Sequence, residues 1–276
     1  MGIGLQGTLR ARILRCPVRA SGIFRGIAAC LHGRFRRPPG ATYNLAPVFA
    51  RCTVKILALD TSTEYCSVAL LDDDRVLSAE EQAGQRHSEL LLPMVDRLLR
   101  DAGLRLDHLD GIAFGAGPGS FTGLRIACAV AQGLAYGAGK KVVPVSTLLA
   151  LAEGSGATRV VAALDARMNE VYVAAYVRDG ERWRTAIAPC LQSPTAVPAL
   201  PGDGWTAAGS GFAVRDGALA SACTGKLARV DALRHPHAAD IARLAAPAFA
   251  AGLGVAPEEA APFYVRDKVA LKVSER

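Results

Sequence analysis

The residues best suited by type and spacing to bind something lie in Gly115-Ala116-Gly117-Pro118-Gly119-Ser120, followed by Phe121-Thr122-Gly123-Leu124-Arg125. Gly115, Gly117 and Gly119 stand between an apolar run and a helical pattern. Such a backbone can turn several N–H groups toward an anion, with Ser120 placed to cap the helix that follows. The same glycines would equally let a strand turn sharply and a helix pack close to it. No Gly-Lys-Ser/Thr is present, so the segment is not a Walker A loop. Asp60 and Asp165 each end an apolar run, and each is a turn cap by position. Of the five histidines, His32, His87 and His108 are isolated, while His235 and His237 flank Pro236. With no HExxH or other ligand pair, neither a metallopeptidase nor a bound metal is expected. Cysteines 16, 30, 52, 66, 128, 190 and 223 form no CxxC pair, which suits reduced, mostly buried thiols of a cytoplasmic protein.

The elements that must position these residues follow from periodicity. Val54–Leu59, Tyr65–Leu71 and Arg75–Glu81 read as three strands joined by polar turns, an antiparallel meander. A helix from about Ser88 to Arg100 places Leu91, Val95, Leu98 and Leu99 at helical spacing, stopped by Gly103, with Pro93 forcing a late start or a bend. Gly111–Phe114 is a strand, Phe121–Tyr136 a helix ended by Gly137 and Gly139, Lys141–Val145 a strand, and Thr147–Ala152 opens a helix. After the small-residue break Gly154-Ser155-Gly156 the pattern restarts. Val160–Leu164 ends in Asp165, and Val171–Val177, a turn at Asp179-Gly180 and Trp183–Ile187 follow. A helix near Ala238–Ala250 and the tail Pro262-Phe263-Tyr264-Val265-Arg266 close the chain. An α/β protein of two similar lobes is expected, 54–155 and 156–250, with a tail at 251–276.

Charge divides the chain unevenly. Nine of the 32 basic residues, all arginines, fall within residues 1–53, and none of the 25 acidic residues does. The leader therefore carries +9, and the rest, with 23 basic and 25 acidic residues, is close to neutral at −2. Nucleic-acid binding draws on a basic excess, so residues 54–276 do not suit RNA binding alone. The leader reads as a mis-called start, with Val54 the true one, as a targeting segment, or as a basic arm. No stretch reaches the roughly 20 apolar residues of a membrane helix.

Two βββαβα lobes, each opening with a hairpin that carries Asp at the strand end, resemble the actin, hexokinase and heat-shock-chaperone ATPase superfamily with its ribonuclease H-like cores. The resemblance implies that Asp60, Thr61 and Ser62 of one hairpin and Asp165 of the other face nucleotide phosphates and metal. Gly209-Ser210-Gly211 is then a thin version of the turn that packs on adenine. More specifically, Ile56 to Thr63, His87-Ser88-Glu89-Leu90, Gly117 to Arg125, Asp165-Ala166-Arg167 to Glu170-Val171-Tyr172 and Pro262 to Arg266 resemble the TsaB (YeaZ) family over residues 54 to about 270. That resemblance implies a non-catalytic subunit that binds TsaD, the subunit completing threonylcarbamoyladenosine at position 37 of tRNA. It also implies a role in docking the ATPase TsaE and contact with tRNA only through the complex. Whether the chain pairs with itself in the absence of TsaD does not follow from the sequence, although an exposed helical face suits a homodimer. ATP and metal would belong to the partners, because Val145 to Ala152 lacks the histidine pair that TsaD carries there. Docking is expected through Leu91, Met94, Val95 and Leu98 on one helix and the ridge Ala127, Ala131 and Ala135 on the next, unless those stripes face the chain's own sheet. The alternative function is an autonomous ATP-dependent kinase of the same superfamily.

Overall fold

The computed structural model describes residues 54–266; the Arg-rich leader lies outside them. Two five-stranded mixed sheets organise these residues. The first is built from β1 (Lys55–Asp60), β2 (Tyr65–Asp72), β3 (Arg75–Gln82), β4 (Gly111–Gly117) and β5 (Lys141–Ser146), in the order β3-β2-β1-β4-β5. β1 pairs antiparallel with β2 and parallel with β4, and β4 pairs parallel with β5. The second contains β6 (Arg159–Asp165), β7 (Val171–Asp179), β8 (Arg182–Gln192), β9 (Trp205–Ala208) and β10 (Leu227–Asp231), in the order β8-β7-β6-β9-β10. Its pairings repeat those of the first, strand for strand.

Central strands buried on both faces read as continuous apolar runs, and β1 and β4 do. Leu57 and Leu59 face one layer, α1 (His87–Asp101) and α2 (Phe121–Ala138), in a core with Leu91, Leu98, Phe114 and Ala131. Ile56 and Ala58 face the other, where Ile241, Ala242 and Ala245 of α5 (Ala238–Ala250) cover the sheet. α3 (Thr147–Gly154) and the short α4 (Ala218–Ala222) complete the helices of eight residues or fewer. α1 does not begin late: it runs through Pro93, whose missing N–H falls on the exposed side. Likewise α2 continues past Gly137 to the left-handed Gly139 (φ 62°), the residue that ends it.

Two boundaries differ from expectation. α5, placed by sequence order with the second lobe, packs on β1, β2, β4 and β5 of the first sheet. The tail follows it, with Val255 bridging to Val142 and the Ala260 carbonyl accepting from Gln132 Nε2 at 2.9 Å. A division at 155/156 thus separates the sheets but not their covering layers. β4 also runs to Gly117, so Gly115 lies inside a strand and the turn proper is only Pro118–Ser120.

Candidate functional site

The β1–β2 and β6–β7 turns, the glycine turn, the start of α2 and residues 263–266 surround one cleft of about 880 Å³. Ser62, Gly119, Ser120 and Asp165 line it together, so the structure gathers four of the residues singled out from sequence. Asp60, Thr61, Gly115 and Gly117 are not in its wall. Thr61 is fully buried and its Oγ1 donates to the Gly123 carbonyl at 2.7 Å. Ser62 Oγ donates to Asp60 Oδ2 at 2.9 Å, and the Ser62 carbonyl accepts from Ser120 N at 2.8 Å. Thr61 and Ser62 therefore turn their hydroxyls into the protein, fastening β1 to the glycine turn, while the half-buried Thr63 faces the cleft.

Asp60 explains the glycine at 115. A Cβ there would stand 1.9 Å from Asp60 Oδ1, so the strand must carry glycine to let the carboxylate lie beneath it. That oxygen has no hydrogen-bond partner among the described residues. Burial pushes the Asp60 carboxyl from its ordinary 3.8 up to about 7, against the opposing pull of the Ser62 donors and His235. Asp165 repeats only the turn-capping half of this arrangement. Its Oδ1 accepts from Arg167 N at 2.7 Å, as Asp60 Oδ2 accepts from Ser62 N at 3.3 Å. Its side chain stays partly exposed and pairs with Arg167. Gly209 and Gly211 are explained by packing, since a Cβ at either would collide with Ala163 of β6.

His235, His237 and His87 have structural places, and His32 lies outside the described residues. His237 Nδ1 accepts from Ala239 N at 3.0 Å and caps α5; burial holds its pKa below the ordinary value, against the raising influence of Glu80. His235 stacks on Tyr65 and meets Glu80 at 2.8 Å. His87 is buried at the start of α1, on the cleft wall, and its Nε2 has no hydrogen-bond partner among the described residues. Among the described residues no group of three His, Cys, Asp or Glu side chains is arranged to hold a metal ion. The four described cysteines are free, with Cys66, Cys128 and Cys223 buried, and no described helix is long and apolar enough to cross a membrane.

The expected docking residues need correction. Leu91, Met94, Val95 and Leu98 of α1 and Ala127, Ala131 and Ala135 of α2 are all buried in the first core. They are the stripes by which the two helices cover their own sheet, because the largest apolar face of each gains most from that burial. The outward faces carry other residues. On α2 these include Ala129, Gly133 and Gly137, again four apart, and a Cβ at Gly133 or Gly137 would meet nothing. Ile126, Val130 and Leu134 flank them, partly buried, and Leu92 of α1 is 49 % exposed.

Known proteins match this chain in two ways. The family model for TsaD, tRNA N6-adenosine threonylcarbamoyltransferase, matches residues 78–272. The tRNA threonylcarbamoyladenosine biosynthesis protein TsaB of Escherichia coli is 40 % identical over 239 residues, covering 79 % of this chain and 97 % of that protein. The chain belongs to the TsaB family. The TsaB of Haemophilus influenzae is 39 % identical over 230 residues, 79 % of this chain and 95 % of that protein. The solved structure of YeaZ from Pseudomonas aeruginosa superimposes with a TM-score of 0.71 at 44 % identity, over 76 % of this chain and 99 % of that one. TsaB membership thus agrees with the resemblance carried by the hairpin, the glycine segment and the closing Pro-Phe-Tyr-Val-Arg.

Proposed function

We propose that this chain is a non-catalytic subunit of the assembly that completes threonylcarbamoyladenosine in tRNA, working in the cytoplasm by holding TsaD and helping to form the place where TsaE docks. The observation that carries this reading is the 40 % identity along 97 % of a protein named for threonylcarbamoyladenosine biosynthesis. The two like-ordered sheets are duplicated actin-like lobes, and in the first hairpin the hydroxyls of Thr61 and Ser62 have turned inward. The partner subunits supply ATP and metal, and tRNA is reached through the complex. TsaD meets the outward faces of α1 and α2, where Ala129, Gly133 and Gly137 leave a shallow surface that another helix can approach closely. The same surface serves a homodimer when TsaD is absent.

Depleting the protein should lower the modified nucleoside in tRNA, measured by nucleoside mass spectrometry; unchanged levels count against the assignment. The kinase alternative requires hairpin hydroxyls free for phosphate, and those of Thr61 and Ser62 are already bonded within the protein. Micromolar binding of ATP and Mg²⁺ by the isolated chain, measured by calorimetry, would revive it.

A further inference from the structure

Residues 262–266 run across the cleft and are fastened on both sides of it. On the first sheet's side, Phe263 N donates to the Ala116 carbonyl of β4 at 2.6 Å. On the second sheet's side, Arg266 Nη2 donates to the Ala166 carbonyl at 3.1 Å and to Glu170 Oε2 at 2.7 Å. The Arg266 side chain is 14 % exposed, so water competes weakly for its hydrogen bonds.

Ala166 and Glu170 are the two ends of the β6–β7 turn. Between them Arg167, Met168 and Asn169 have φ of 62°, 55° and 59°. Three consecutive left-handed residues that carry a Cβ are costly, and such runs persist only where their surroundings over-determine them. Within the turn, Ala166 N donates to the Glu170 carbonyl and Glu170 N to the Arg167 carbonyl, each at 3.0 Å. Arg266 adds a grip on both ends from outside the hairpin.

We propose that Pro262–Arg266 is a latch that sets the aperture of the cleft. Phe263 holds it to the strand of the glycine turn, and Arg266 holds it to the opposite wall while keeping residues 167–169 in their left-handed shape. Releasing Arg266 lets that turn relax and the two walls separate. The apolar surface at the cleft mouth changes with it, because Phe121, Met168, Phe263 and Tyr264 are four of the nine large hydrophobic side chains exposed among the described residues. Arg125 couples the latch to the start of α2, donating from Nε to Tyr264 Oη at 3.1 Å.

The test is amide hydrogen exchange by mass spectrometry on the full chain, comparing wild type with Arg266→Ala and Glu170→Gln. The latch predicts exchange about tenfold faster in Arg266→Ala, both in residues 166–170 and across the cleft in 117–124, with β2 and β7 unchanged. Glu170→Gln, which keeps the volume and loses the charge, should speed the same two segments by roughly threefold. Adding it to Arg266→Ala should bring no further rise. Acceleration confined to 166–170 would make Arg266 a local pin and overturn the latch, as would no change at either segment. If Arg266→Ala does not fold, Glu170→Gln alone decides by the same two segments.

Discussion

Replacing Asp60 by asparagine should change sign with pH. The carboxyl is buried at the end of β1, and burial raises it from 3.8 to about 7. A raised carboxyl means the folded chain binds the proton more tightly than the unfolded one. Stability is therefore least burdened below pH 3.8, falls as pH rises from there to about 7, and carries the full cost above. Three pKa units correspond to about 4 kcal/mol. Asparagine keeps an oxygen for the Ser62 donors and removes the charge. Its amide then occupies the place of Oδ1, which has no partner among the described residues, at a cost of about 1–3 kcal/mol. At pH 8.5 the variant should gain about 1–3 kcal/mol, and at pH 4 it should lose a similar amount. For a chain of this size that is roughly 2–4 °C in Tm per kcal/mol. Urea unfolding of both proteins at several pH values between 4 and 8.5 measures the difference and cancels groups common to both. An asparagine effect that is the same at pH 4 and pH 8.5 would refute a buried, proton-linked Asp60.

Four further outcomes follow from the packing of the two sheets. Gly115→Ala drives a Cβ into Asp60 Oδ1 and should cost about 1–3 kcal/mol by urea unfolding, with a smaller penalty in a chain that also carries Asp60→Ala. Glu153→Ala strips the shared acceptor from Arg178 Nη1 (2.9 Å) and Trp183 Nε1 (2.6 Å), costing roughly 2–4 kcal/mol and altering the Trp183 fluorescence. Ala131→Glu buries a charge in the first core and should prevent folding or cost more than about 3 kcal/mol. Gly133→Glu, on the outward face of the same helix, should leave the melting curve within about 1 kcal/mol of wild type.

Much of the fold was legible because local pattern and burial agree. The β1–β2–β3 meander, α1 and the strand–turn–helix around the glycines all show their period in sequence. Less of the second half was readable: β9 has four residues and β10 five, too short for periodicity to speak, and both lie among glycines and polar turns. The return of α5 to the first sheet is a fact of tertiary packing with no local signal. The docking stripe failed for a definable reason. In α2 both Ala127-Ala131-Ala135 and Ala129-Gly133-Gly137 are small and four apart, so size alone does not say which faces the sheet. In α1 the stripe of Leu91, Met94, Val95 and Leu98 was simply the face with most to gain from burial. The sequence places Asp60 and Asp165 at strand ends, but the inward turn of the Thr61 and Ser62 hydroxyls depends on tertiary contacts with Gly123 and Asp60 that leave no local signal.

The central claim is that the outward faces of α1 and α2 hold TsaD. Calorimetric titration of TsaD into wild type and Gly133→Glu tests it most directly. Gly133→Glu should stay well folded while its affinity for TsaD falls by about 100-fold or more, since a charged side chain is forced into a close helix contact. Affinity equal to wild type would place the partner on another surface and contradict the account.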